Sequence, residues 1–220
     1  SGLDVIKAMA MAGPDPTGTR GSRSEQDMLA GYVDHVHSFA DVASLKPLKV
    51  VADTANGMGG LVLPAVMAGL PFEVDHMYPE LDGTFPNHPA DPIQPENQKD
   101  LMERVLANGA DIGLAFDGDA DRVFLVDETA RAISGSLTTA MVARSILARE
   151  PGATVIHNLI CSKTVREVIE EGGGTAVRTR VGHSFIKQVM AETGAVFGGE
   201  HSGHYYFRDN YRADSGLIAA

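Results

Sequence analysis

Between residues 48 and 197 the chain alternates short apolar runs with stretches of helical periodicity, and nothing else in it limits the possible folds so sharply. The segments 48–52, 72–78, 111–116, 122–126, 154–159, 175–181 and 195–197 read as strands. Helical spacing falls between them at 58–68, where Pro64 starts or kinks the helix, and at 96–106, 137–149, 163–171 and 184–192. Parallel neighbours need a crossover, so this alternation predicts βαβ units with largely parallel sheets. The connection after Phe116 is too short for a crossover and predicts one antiparallel pair. The strand–helix sequence restarts near residue 132. The expected fold is therefore α/β, with two consecutive three-layer α/β/α units and mixed, mostly parallel sheets, at 45–131 and 132–220.

Upstream, residues 3–11 suit a short amphipathic helix, which Gly13 to Gly18, with two prolines, breaks. Residues 24–41 suit a longer one: Ser24 can cap it, and Met28, Leu29, Tyr32, Val33, Val36 and Phe39 recur at helical spacing. The chain opens without Met and stops just after Asp214-Ser215, a helix N-cap pattern with room for one further turn. It reads as a piece of a longer protein.

Composition narrows the partners. With 29 acidic and 18 basic residues the formal charge is −11, and no Lys/Arg-rich run exists to hold nucleic acid or an anionic membrane. Apolar residues at 44% and charged ones at 21% are those of an ordered globular chain. Cys161 has no second cysteine to pair with, no apolar run approaches the ~18 residues of a membrane span, and no signal-peptide pattern opens the chain. A soluble, cytoplasmic protein is expected.

The chemistry concentrates in Asp117-Gly118-Asp119-Ala120-Asp121-Arg122, at the end of a predicted strand, where open parallel sheets bind ligands. Carboxylates ~4 Å apart repel by about 4 kcal/mol at an effective dielectric of about 20, so three of them call for a cation. Oxygen-only donors select a hard one, and Mg²⁺ keeps room for a phosphate oxygen. An EF-hand is ruled out by Arg122 where that loop needs Gly, and by strands on both sides. An aspartyl-phosphate enzyme, with Asp117 as nucleophile and Asp119 as acid, stays open, although Asp121 stands where that motif favours Thr or Val. A non-enzymatic module binding metal or sugar phosphate also stays open, as does a plain Asp-rich turn.

Five segments in order, over about residues 24–220, resemble the bacterial phosphomannomutase/phosphoglucomutase branch of the α-D-phosphohexomutase superfamily. They are Ala52 to Gly59, Gly83 to Pro89 with Pro92 and Pro95 to Asn97, Asp117 to Arg122, Val181 to Ser184, and Gly199 to His204. The resemblance implies an enzyme of four domains that moves phosphate between the 1- and 6-hydroxyls of a hexose through a phosphoserine and a bisphosphate intermediate. It implies Mg²⁺ as cofactor, held by Asp117, Asp119 and Asp121, and hexose phosphates as partners. Arg122, His183 and Lys163 map to catalytic positions, and Glu200 and Ser202 to the sugar-recognition loop. Residues 1–44 then become the tail of an upstream domain with a linker helix, followed by the second and third domains. The 53–60 segment reads as structural, the Pro-Asn-His-Pro segment as a rigid interdomain loop, and His88 and His204 as polar loop histidines. His201, where glucosamine-phosphate relatives are expected to carry Gln, favours hexoses without an amino group. No Ser-His-Asn-Pro nucleophile stretch occurs, and Ser184, Ser202 and Ser215 lack its context. The first and fourth domains are missing, and the chain alone is expected to be inactive.

Overall fold

The computed structural model describes residues 2–13 and 18–220; of the expected break at 13–18, residues 14–17 lie outside them. Helices α1 (Gly2–Ala12) and α2 (Leu29–His37) precede two α/β units. In the first, β1 (Leu48–Asp53), α3 (Gly59–Met67), β2 (Phe72–Met77), α4 (Lys99–Asn108), β3 (Ile112–Phe116), β4 (Val123–Asp127) and β5 (Ala132–Ile133) build a sheet of order β2-β1-β3-β4-β5. In the second, α5 (Gly135–Arg149), β6 (Thr154–Asn158), α6 (Lys163–Glu171), β7 (Thr175–Thr179), α7 (His183–Thr193), β8 (Phe197–Gly199), β9 (Tyr205–Phe207) and α8 (Gly216–Ala219) build a sheet of order β7-β6-β8-β9.

The two sheets follow one plan. A central strand pairs in parallel with a neighbour on each side (β1 with β2 and β3, β6 with β7 and β8), and a hairpin then adds an antiparallel strand. The loop 117–122 in one unit and the loop 200–204 in the other are thus the same hairpin in two copies of one topology. No sequence repeat discloses this.

Alternation along the strands sorts the core. Val50, Ala52, Leu114 and Phe116 face one cluster with Leu63 and Val66 of α3, while Val51, Ala115 and Val126 face Leu101 and Val105 of α4. Val155 turns toward Ala143, Val165 and Ile169 of α5 and α6, and Ile156 toward Ile186 and Met190 of α7. Each unit therefore has helices on both faces of its sheet, and the first cluster runs without interruption from one unit into the other.

Departures from the expected boundaries have local causes. Helix α2 begins at Leu29 and not at Ser24, with no side-chain cap; Asp27 Oδ1 instead accepts the Leu29 N–H at 2.9 Å. An isolated helical turn is marginal in water, and this one starts only where Tyr32, Val33 and Val36 reach the core. Residues 95–98 form a 3-10 turn ahead of α4, which ends on Gly109 at φ 57°. Ser134 caps α5 and Ser215 caps α8, accepting from the Leu137 and Ile218 N–H groups. Strand β9, which was not expected, is only three residues long and follows a glycine-bearing loop, below the length at which periodicity is readable. The Pro-Asn-His-Pro loop does not run between the units. It folds back on the first one, with Asn87 donating to Asn56 Oδ1 and His88 Nε2 2.9 Å from Asp53 Oδ2. The pull of the buried Asp53 carboxylate explains this, and hydrogen bonding to it raises the His88 pKa.

The units meet along a narrow seam. Arg122 and His204 form an isolated antiparallel bridge, the Val123 N–H donates to Gly203 O, and the Gly216 N–H donates to Ala120 O. A Cβ on Gly216 would lie 2.7 Å from Arg122 O and 3.0 Å from Ala120 O, both backbone atoms that have no room to yield. Gly216→Ala is therefore expected to lower the unfolding free energy by about 1–3 kcal/mol, the range for overpacking, as measured by urea denaturation. Gly152→Ala, where a Cβ meets nothing within 4 Å but φ is +82°, serves as the control for backbone strain alone.

Candidate functional site

Asp117 is the first residue after β3 and 2% exposed. Its carboxylate is gripped by its own loop: Oδ1 accepts the Arg122 backbone N–H at 3.1 Å and Oδ2 accepts Arg122 Nε–H at 2.6 Å. Gly118 O accepts the Met58 N–H at 2.8 Å, which ties the loop to the turn after β1. Ala120, at φ 60°, bends the chain so that Asp119 and Asp121 return toward Asp117. One oxygen from each of the three lies within 4.8 Å of the others. Burial, followed by the charges of Asp117, Asp119 and Asp214, pushes the Asp121 carboxyl up to about 7.

That shift is the fit test for a metal. Three converging carboxylate oxygens, with burial and neighbouring charge both holding back the ionisation of Asp121, are a poor arrangement alone and a good one around a hard divalent cation. The residues fit a hard divalent cation. The adjacent cation is fixed from two sides, since Arg122 reaches Asp117 and lies 3.5 Å from Asp91 Oδ1. Burial works against its charge, but the hydrogen bond to Asp117 and that carboxylate's charge leave its pKa raised.

Opposite this loop, across the seam, stands the 200–204 hairpin. Glu200, which maps to the sugar-recognition loop, is 2% exposed. Its Oε1 accepts from Asn158 Nδ2 at 3.0 Å and from the Gly182 N–H at 3.2 Å, and its Oε2 from the Tyr206 hydroxyl at 2.8 Å. Three of a carboxylate's roughly four acceptor positions are thus filled by the protein. Ser202 Oγ lies 3.0 Å from His204 Nδ1, and His204 Nε2 lies 3.8 Å from Asp121 Oδ1, so the imidazole bridges the two hairpins. Burial, chiefly, lowers the His204 pKa, and the nearby His183 adds to this against the pull of Asp214 and Glu200.

His183 is the first residue of α7, at the same end of the sheet, with its ring centroid 4.6 Å from that of His204. Its Nδ1 is 3.1 Å from the Tyr206 hydroxyl and 3.4 Å from Asp214 Oδ2, while Lys187 Nζ is 3.4 Å from Asp214 Oδ1. Lys163 opens α6 at that end too, but its side chain is 87% exposed and its ammonium is paired with Glu167 at 3.2 Å. The structure thus joins Asp117, Asp119, Asp121, Arg122, His183, Glu200 and Ser202 into one neighbourhood and leaves Lys163 at its margin. Sequence reasoning missed Asp214, Tyr206 and Lys187, and gave His204 too small a part. The one available signal was Asp214-Ser215, where Ser215 does the capping and leaves Asp214 for His183.

Comparison with known proteins finds two family models in succession. Residues 30–131 match the family model for phosphoglucomutase/phosphomannomutase alpha/beta/alpha domain II, and residues 134–220 that for domain III. The chain is 40% identical over 215 residues to a protein of Xanthomonas campestris pv. campestris described as phosphohexose mutases, covering 98% of this chain and 47% of that one. It is 41% identical over 201 residues to a Pseudomonas aeruginosa phosphomannomutase/phosphoglucomutase, covering 91% and 43%. A crystal structure of a phosphoglucomutase/phosphomannomutase family protein from Burkholderia thailandensis superposes with a TM-score of 0.82 at 36% identity, over 88% of this chain and 42% of that one. The chain spans about half the length of the curated relatives it matches.

Asp121 supplies a test of the site's electrostatics. Its carboxyl is raised when folded, so the metal-free chain loses stability as pH rises from about 4 to about 7 and this group ionises. Asp121→Asn is expected to raise the melting temperature relative to wild type at pH 8 and not at pH 4, in EDTA. The same proton makes Mg²⁺ affinity fall about tenfold per pH unit below about 7, read by calorimetry.

Proposed function

The chain belongs to the α-D-phosphohexomutase superfamily, and on that premise we propose that it is the metal-holding and sugar-recognising half of an enzyme interconverting hexose 1-phosphate and hexose 6-phosphate. The observation that carries the reading is the Arg122–His204 bridge, which seats a cation site, a fixed guanidinium and two imidazoles side by side. Mutases of this kind need a phosphoserine, and none of the serines here has its sequence context, so the remainder of the parent protein supplies it together with the clamp on the second phosphate.

In this reading Asp117, Asp119 and Asp121 would hold Mg²⁺, which offsets charge on the phosphoryl oxygens. Arg122, its orientation fixed by Asp117 and Asp91, stabilises charge developing on the phosphate in flight. The sugar hydroxyl that attacks must lose a proton. His204, kept neutral by burial, can take it on a ring nitrogen, and His183 beside Asp214 can receive or return it in the reverse half-reaction. Ser202 and the remaining acceptor position of Glu200 order the sugar hydroxyls. Lys163 steers the incoming phosphate by charge alone. Mannose and glucose phosphates are the substrates, consistent with His201, and the enzyme works in the cytoplasm; no helix among the described residues is long and apolar enough to cross a membrane.

An aspartyl-phosphate mechanism is disfavoured because both Asp117 oxygens accept hydrogen bonds from Arg122, leaving the would-be nucleophile neutralised and engaged. Two measurements test the proposal. The 220-residue chain with mannose 1-phosphate, glucose 1,6-bisphosphate and Mg²⁺ is expected to form no mannose 6-phosphate, whereas the full-length protein does; robust turnover by the chain alone would sink the division of labour. In the full-length protein Arg122→Ala is expected to reduce kcat by about 10²–10³-fold, the cost of losing one preorganised charge-stabilising group, with the melting temperature recorded alongside.

A further inference from the structure

Beside the oxygen-only trio lies a second set of side chains with different donor chemistry. One ligand atom each from His183, His204 and Asp214 lie within 4.8 Å of one another. Asp214 is 8% exposed at its side chain, and its Oδ2 has no hydrogen-bond partner among the described residues. A buried carboxylate oxygen without a donor is costly, and His183 Nδ1, 3.4 Å from it, is itself a metal-ligand atom. Ligand atoms around a tetrahedral zinc stand about 3.4 Å apart, given bonds of about 2.0–2.1 Å. The His183–Asp214 edge already has that length. His204 is held by Ser202 at 3.0 Å, whereas the His183 side chain is 54% exposed, and its Nδ1 would exchange the 3.1 Å contact with the Tyr206 hydroxyl for the metal.

We propose that His183, His204 and Asp214 form a second cation site, selective for a borderline divalent ion such as Zn²⁺ over Mg²⁺. Two imidazoles and one carboxylate favour zinc and cobalt, whereas three carboxylates favour magnesium, so neighbouring sites 3.8 Å apart at their nearest atoms (His204 Nε2 to Asp121 Oδ1) sort the two metals by donor type. Three protein ligands leave a fourth position open for water or a phosphate oxygen. Zinc there ties up both imidazoles, making free zinc a reversible inhibitor of any reaction that uses them. The site itself stands whether or not the chain serves a mutase.

Cobalt reports the difference directly, because tetrahedral nitrogen-containing sites give intense visible absorption and octahedral oxygen sites only weak bands. Titration of the untagged chain with Co²⁺ is expected to yield the intense band at one equivalent, undiminished by a large excess of Mg²⁺ and abolished by Zn²⁺. Asp119→Asn, which cripples the trio, should leave the band in place. His183→Gln and Asp214→Asn should each weaken Co²⁺ and Zn²⁺ binding by at least about tenfold, the effect seen even for groups that only support a ligand. His183 is exposed enough for its substitution to leave the fold intact, as circular dichroism would record, so the test stands even if the Asp214 variant misfolds. A weak octahedral spectrum alone, or a band that survives His183→Gln and vanishes with Asp119→Asn, would overturn the proposal.

Discussion

Two hairpins become one site because Arg122 and His204, 82 positions apart in sequence, pair as antiparallel neighbours, with Val123 and Gly203 extending the contact. Everything chemical in the molecule hangs from that short seam. Arg122 faces Asp117 in its own loop while its backbone meets His204, and His204 in turn reaches Ser202 and Asp121. Glycines at 203 and 216 permit the approach, since a Cβ at either would lie under 3 Å from Phe124 or from Arg122 O.

The repeated topology explains why the seam is productive. In each unit the chain crosses from the central strand to one side and then to the other, which places a switch point between β1 and β3 and another between β6 and β8. Ligands in open α/β sheets collect at the carboxyl ends of strands near such points. Each unit contributes its hairpin loop from there, one carrying carboxylates for a cation and the other hydroxyl, imidazole and a buried glutamate. Lys163 and His183 follow from the ends of β6 and β7 at the same edge.

Electrostatics then sets what the junction holds. Burial first, and then the charges of Asp117, Asp119 and Asp214, push Asp121 well above the ordinary carboxylate range. Arg122 and Lys187 compensate part of this, and the remainder is an invitation to cations in a chain already carrying a charge of −11. Glu200, by contrast, is held by hydrogen bonding, with Asn158, Gly182 and Tyr206 supplying the donors.

What the sequence by itself determined was everything carried by contiguous residues. The strand–helix alternation, the antiparallel return after Phe116, the cap at Ser215 and the acidic hexapeptide all depend on neighbours within a few positions, where periodicity and turn chemistry act. The tertiary structure alone decided which of those residues meet. Asp214 reads as half of a cap until Ser215 takes the cap and frees it for His183, and nothing near Glu200 in sequence shows that Asn158, 42 residues away, donates to it. Short strands such as β9 gain their place from pairing with β8 and not from their own three residues. Local propensity falls off within a turn of the chain, whereas sheet register and burial are settled by partners distant in sequence, and the site was assembled by the latter.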